Sequence, residues 1–150
     1  MPQSFASLHV HLVFGTKNRA PLINDQIASR LYQYVGGVVR SEKSVLVAAG
    51  GMPDHVHLLV SLNKTTATAD IVRAVKANSS RWIHETFAEQ RTFAWQTGYG
   101  AFAVSYSNVA DVQGYIARQV EHHRQQTFEE EFLALLERHH IEFDKRSFLD

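Results

Sequence analysis

The chain has 150 residues, no cysteine and no net charge, with 15 Lys and Arg against 15 Asp and Glu; it is long enough for one domain over residues 1–150, and disulfides and thiolate metal sites are excluded. Zero net charge alone argues against a nucleic-acid binder, yet residues 1–84 hold nine basic and four acidic side chains and residues 85–150 hold six and eleven, so a basic body carries an acidic tail. Met1-Pro2-Gln3-Ser4 leads directly into a histidine-bearing strand with neither signal peptide nor long apolar run, and a cytoplasmic protein without a membrane segment is expected.

Leu8 to Gly15 reads as a first strand, apolar enough to be central, and Thr16 to Pro21 closes it in a basic loop. From Asn24 or Asp25 as N-cap, Ile27, Leu31, Tyr34, Val35 and Val38 recur at helical spacing, with Gly36-Gly37 loosening the last turn. Ser44 to Ala49 reads as a second strand ending at Gly50-Gly51, and the turn Met52-Pro53-Asp54 joins it to an antiparallel third strand, His55 to Leu62.

A second helix is expected from about Thr68, with Ile71, Val75, Asn78, Ser79 and Trp82 inward and a polar, mostly basic face of Arg73, Lys76, Ser80 and His84. Phe93 to Trp95 and Ala101 to Ser105 suggest a fourth strand, bent at Gly98-Tyr99-Gly100. Ser107-Asn108 caps a third helix with Val109, Val112, Ile116 and Val120 inward, and Thr127-Phe128-Glu129-Glu130 is a capping box opening a fourth, with Phe128, Phe132, Leu135 and Leu136 on one side. The order strand, helix, strand, strand, helix, strand predicts an α+β fold: a ferredoxin-like (split βαβ) antiparallel sheet with additional C-terminal helices.

The chemistry concentrates in Met52-Pro53-Asp54-His55-Val56-His57-Leu58-Leu59. Strand side chains alternate, so His55 and His57 share one face, about 7 Å apart, while Val56, Leu58 and Val60 line the other. Unpaired imidazoles are costly in an apolar central strand, which favours metal or phosphate contact over two idle polar residues. His9 and His11 form a second such pair on the first strand, and spacing does not choose between the two. Tyr115, Gln119 and His122 form one stripe of the third helix, and an amide oxygen one turn from the tyrosine suits completion of a two-histidine metal site.

These residues resemble a known family. Met52 to Leu59 is similar to the His-hydrophobe-His motif of the IS200-like single-tyrosine (HUH) transposases, which include the repeat-associated tyrosine transposases. Gly114 to Arg124 resembles their tyrosine helix, including the glutamine four residues after the tyrosine. Phe14 to Arg19, Ser79 to Ile83, Trp95 to Tyr99 and Ile141 to Asp144 extend the match almost end to end. The helix with Tyr115 is thereby marked as the tyrosine helix.

The resemblance implies a homodimeric bacterial transposase that cuts and joins single-stranded DNA at hairpin-bearing ends through a 5′-phosphotyrosine. It implies Tyr115 as nucleophile and His55, His57 and Gln119 as ligands of a divalent ion, Mg2+ or Mn2+, since two imidazoles and an amide hold a cation without neutralising it. His9 and His11 then become sheet packing or DNA contacts, with His122 as another supporting residue. Lys17, Arg19, Arg73, Lys76 and Arg81 are the candidate phosphate contacts, and Trp82, Trp95 or Tyr99 the candidates for stacking bases, Trp82 being read as core. The competing expectations are a domesticated repeat-associated nuclease without mobility and a non-catalytic single-strand-binding module. A histidine-triad hydrolase is disfavoured, because Leu59 stands where its third histidine belongs.

Overall fold

The computed structural model describes residues 3–150, so Met1 and Pro2, where the leader reading began, lie outside the described residues. Strands β1 (His9–Gly15), β2 (Val45–Met52), β3 (His55–Ser61) and β4 (Gly100–Val104) alternate with helices α1 (Asp25–Ser41) and α2 (Thr68–Thr86). They form one sheet in the order β2-β3-β1-β4, with every neighbouring pair antiparallel. This is the expected ferredoxin-like arrangement. Helices α3 (Val109–Ala117), α4 (Gln119–His122) and α5 (Phe128–Arg138) follow.

Alternation along the two central strands gives the sheet two different faces. Val10, Leu12 and Phe14 of β1 and Val56, Leu58 and Val60 of β3 are buried with Ile27, Leu31 and Val35 of α1 and Ile71, Val75 and Ile83 of α2. On the opposite face Val13 and Phe102 pack with Phe128, Phe132, Leu135 and Leu136 of α5, and this face carries the histidines. Each fully buried aliphatic or aromatic side chain contributes about 1.5–3 kcal/mol, so most of the hydrophobic stabilisation lies on the α1/α2 side.

Local signals set several ends as expected. The Asn24 side chain accepts from Ile27 N at 3.0 Å and starts α1, which runs on past Gly36-Gly37. Thr127 and Glu130 form the reciprocal capping box of α5. In α2, Ile71, Val75 and Ser79 are buried as expected, while Val72 and Ile83 are also buried and Asn78 and Trp82 are half-buried. Trp82 packs against the core with its ring stacked on Tyr34, 4.9 Å between centroids.

Several details differ from the sequence reading. Strand β2 continues through Gly50 and Gly51 to Met52, so only Pro53 and Asp54 make the turn. Glycine here serves a close approach: a Cβ on Gly50 would stand 2.8 Å from the Ile116 carbonyl oxygen, so its absence lets α3 settle on β2. Phe93 to Trp95 is not strand; only Trp95 bridges Thr16, and Ser105 lies beyond β4. Phe93 is instead buried, and the Trp95 ring meets Phe14 at 4.9 Å and donates to Ser79 Oγ at 3.0 Å.

The third predicted helix is two helices. The chain breaks at Arg118 (φ −100°, ψ 22°), which shifts the helical phase, so Val120 is exposed at 59% rather than inward and Gln119 is buried instead. Asn108 precedes α3 without a side-chain cap. No helix among the described residues is long and apolar enough to cross a membrane.

Candidate active site

The outward turn at Pro53-Asp54 starts β3 at its first histidine. His55 and His57, each 0% exposed, project from β3 toward α3–α5 with their ring centroids 5.1 Å apart. Buried imidazoles need partners, and each is held by both nitrogens. Nδ1 of His55 meets Asp54 Oδ1 at 2.7 Å and its Nε2 meets Gln119 Oε1 at 3.0 Å. Nδ1 of His57 meets His11 Nε2 at 2.8 Å and its Nε2 meets Glu131 Oε1 at 2.9 Å. The Nδ1 partners orient both rings so that the two Nε2 atoms face one point.

Around that point the C-cap of α4 supplies His123 and helix α5 supplies Glu131. His123 Nε2 lies 3.1 Å from both Gln119 Oε1 and Glu131 Oε1, and Gln119 Nε2 donates to Glu131 Oε2 at 3.0 Å. The donor atoms of His55, His57, His123 and Glu131 all lie within 4.8 Å of one another. Three imidazole nitrogens and one carboxylate fit a divalent cation, so this cluster could hold a metal, with the Gln119 amide oxygen beside it.

Tyr115 reaches the same carboxylate. Its hydroxyl donates to Glu131 Oε2 and stands 3.2 Å from His122 Nε2, and its ring centroid is 5.6 Å from that of His57. One chain therefore brings the tyrosine and the histidine pair together.

Burial and charge act differently on each group. Burial pushes His11 down to about 3, helped by His57, and it lowers His57 as well, so both stay neutral and able to bind through a lone pair. Burial also opposes charge on His55, but the hydrogen bonds of Asp54, Glu131 and Gln119 outweigh it and raise this imidazole to about 9. Glu131 is desolvated too, yet His123, His55 and His57 hold it well below the usual carboxylate range. Burial first, and Glu131 second, lift the Tyr115 phenol above its ordinary value.

Of the expected site residues, His55, His57, Gln119 and Tyr115 thus converge, and His11 joins them as the partner of His57 rather than as a rival pair. His122 lies beside the tyrosine hydroxyl. His9 stands apart, its ring 6.1 Å from Tyr106 and its Nδ1 buried without a hydrogen-bond partner among the described residues.

The basic candidates are dispersed. Lys17 and Arg19 are exposed after β1, with Arg19 3.7 Å from Glu129. Arg73 pairs with Asp70 and Arg81 donates to Asn78, both on α2 and so across the sheet from the histidines. The Lys76 ammonium donates to the Gln96 and Gly98 carbonyls at 2.8 and 2.7 Å and sits 5.1 Å from the Phe14 ring, a structural clasp in which burial lowers its pKa to about 8. Of the stacking candidates, Trp82 and Trp95 are half-buried in the core and Tyr99 is exposed at 39%.

Two residues of the cluster had no role assigned from the sequence. Glu131 carried a legible signal, an acid on the buried stripe of α5 between Phe128 and Leu135; His123 carried only its place in the tandem His122-His123.

Comparison with known proteins points the same way as this geometry. The family model described as IS200-like transposase matches residues 4–119. The ISDra2 transposase TnpA of Deinococcus radiodurans is 27% identical over 117 residues, covering 75% of this chain and 84% of that protein. A crystal structure described as a transposase from Deinococcus radiodurans R1 superposes with a TM-score of 0.65 at 28% identity, covering 79% of this chain and 98% of the other. The REP-associated tyrosine transposase bound to a REP hairpin shares the fold, with a TM-score of 0.59 at 17% identity over 81% of this chain and 73% of the other.

Proposed function

The chain belongs to the family of IS200-like transposases, and from that premise we propose that it is a single-domain DNA strand transferase that cuts and rejoins single-stranded DNA through Tyr115. The observation that carries this reading is the convergence of the Tyr115 hydroxyl and the His57 imidazole on the two oxygens of one carboxylate, Glu131. A nucleophile and a cation site that share a ligand are placed to act on the same phosphate.

His55, His57 and His123, with Glu131 and the Gln119 amide oxygen, would hold a Mg2+ or Mn2+ ion; nitrogen-rich ligation tilts the choice toward manganese and cellular abundance toward magnesium. When bound, the ion offsets the negative charge on the non-bridging phosphate oxygens. Tyr115 Oη attacks the phosphorus, forming a phosphotyrosine ester on the 5′ side. The bond to the 3′ oxygen breaks, and that oxygen takes up a proton, the equivalent of the one the phenol releases, and leaves as a free 3′-hydroxyl. The phenol proton passes along the existing hydrogen bond toward Glu131 Oε2. Attack by another 3′-hydroxyl on the stored ester reverses the chemistry and joins strands without a nucleotide cofactor.

A hairpin in the DNA is the expected recognition element, supported by the hairpin bound to the REP-associated relative of the same fold. A homodimer in the bacterial cytoplasm, at the nucleoid, rests on the family resemblance. Lys17 and Arg19, exposed after β1, are the basic candidates kept for phosphate contact, while Arg73 and Arg81 lie across the sheet from the site and Lys76 is engaged by carbonyls.

The test is a covalent adduct on a denaturing gel after incubation with hairpin-bearing single-stranded DNA and Mn2+. The expected result is an adduct with the wild type, abolished in Tyr115→Phe and in His55→Ala. An adduct that persists in folded Tyr115→Phe would assign the nucleophile elsewhere.

A further inference from the structure

Beside Tyr115 lies a cavity of about 400 Å3 between β4, α3 and the end of α5. Its size falls within the range of about 300–1,000 Å3 usual for small organic ligands. Phe102, Val112 and Leu135 give it apolar walls, and Tyr115 and His11 border its inner end. The His139 ring lies against Phe102 at 4.5 Å, with its Nδ1 donating to the Leu135 carbonyl at 2.9 Å, so a second flat ring is fixed at the wall. Arg118 and Arg138 stand at the rim, both exposed. Among the described residues neither forms an ion pair. Asp111 and Asn108 supply the acceptor and the amide on the α3 side.

A second, smaller cavity of about 230 Å3 shares Tyr115, Leu135 and Arg138 with the first and touches Glu131. Arg138 therefore borders both spaces that meet the tyrosine, the smaller reaching Glu131 of the metal-ligating cluster and the larger being the ring-walled cavity.

We propose that the larger cavity is a nucleotide pocket, which takes one unpaired, extruded base of the DNA strand next to the phosphate attacked by Tyr115. This rests on the reading of Tyr115 as the nucleophile. The base lies among Phe102, Val112 and Leu135, since flat ring and apolar surfaces take any base without reading its sequence. Arg138 and Arg118 hold the phosphates flanking it, because a guanidinium binds phosphate oxygens in paired hydrogen bonds. Asp111 accepts from an N–H of the base edge and so biases which base is preferred. Burying one nucleotide beside the tyrosine fixes the position of its phosphate, which is what an in-line attack requires.

The test is titration of the isotope-labelled, metal-free protein with the four deoxynucleoside 5′-monophosphates, with inorganic phosphate and deoxyribose 5-phosphate as controls, followed by NMR. Saturable shifts of Phe102, Val112 and Leu135 resonances are expected with the nucleotides and not with inorganic phosphate. Their apparent affinity should fall at least fivefold in Arg138→Ala, a change at an exposed side chain, and be lost in Val112→Trp, which fills the space. Equal shifts from inorganic phosphate, or nucleotide shifts that map elsewhere, would overturn the pocket. Nucleotide binding here without any Tyr115 adduct on hairpin DNA would support the pocket and defeat the reaction; an undiminished adduct in Val112→Trp with no nucleotide shifts would do the reverse.

Discussion

Strand β3 is dry on both faces, but the two faces are satisfied by different physics. Val56, Leu58 and Val60 are closed over by α1 and α2 through packing alone, whereas His55 and His57 on the other face are closed over by α3–α5 and held by hydrogen bonds to Gln119 of α4, Glu131 of α5 and His11 of the neighbouring strand β1. Packing is non-directional and tolerates any well-filled arrangement. A buried polar cluster tolerates only the arrangement in which each atom has a partner, so it fixes one geometry. The contrast assigns stability chiefly to the α1/α2 face and chemistry to the α3–α5 face.

The sharpest break between the faces is expected at Tyr115. Tyr115→Phe should reduce adduct formation by at least ~10³-fold, since removal of a covalent nucleophile leaves no equivalent group, while the thermal midpoint moves little; circular dichroism and the gel assay read the two effects on one sample. A chain that lost both together would show that the tyrosine holds the fold and not the chemistry.

Glu131→Gln comes next. It keeps the shape and removes the charge, so Mn2+ affinity measured by calorimetry should fall by about 10–100-fold, the usual scale for disturbing a metal site's ligands and their partners. Unchanged Mn2+ affinity would place the ion away from the Glu131 carboxylate.

On the apolar face the effects should invert. Leu58→Ala is expected to cost about 2–5 kcal/mol in denaturant unfolding, the range for truncating a fully buried leucine, with adduct yield per folded molecule retained. A loss of activity larger than the loss of folded protein would mean that the faces are coupled through β3.

The pH dependence of the metal-free protein separates the two kinds of histidine. His11 is lowered to about 3, so between that value and the ordinary value of about 6.5 the unfolded chain binds more protons and stability falls as pH drops. His55 is raised to about 9, so its contribution is full below about 6.5 and is lost as pH rises through about 9. The melting temperature in chelator should therefore peak near pH 6.5, about the ordinary histidine value. Replacing His11 by Asn should make the acid side shallower, the part that His57 and Glu131 supply remaining, and leave the alkaline side; a curve unchanged by that substitution would detach His11 from the network.

The smallest effect is expected at the start of α5. Thr127→Ala removes the side-chain half of the α5 capping box and should cost about 1 kcal/mol, read as a small shift in denaturant midpoint. A greater loss of Mn2+ affinity than of stability would show that the α5 start positions Glu131.

Much of this was legible along the chain. Period-two alternation placed His55 and His57 opposite Val56 and Leu58, the order of elements gave the split βαβ sheet, and the capping residues Asn24 and Thr127 marked helix starts that the structure retains. These are local properties, decided by backbone geometry within a few residues. The strand through Gly50-Gly51 and the break at Arg118 were hidden, because each depends on another element: α3 settles on Gly50, and the break sets Gln119 rather than Val120 toward the site.

By itself, then, the sequence determined the histidine face of β3, the helix bearing Tyr115 and the buried stripe of α5. Only the tertiary structure decided that His11 orients His57, that His123 and Glu131 complete the cluster, and that Arg118 and Arg138, lying in the acidic half of the chain, border the cavity beside the tyrosine. The physical reason is distance along the chain: Glu131 meets His57 across 74 residues, a contact that no periodicity records and that exists only because α5 buries its apolar stripe against the same sheet face.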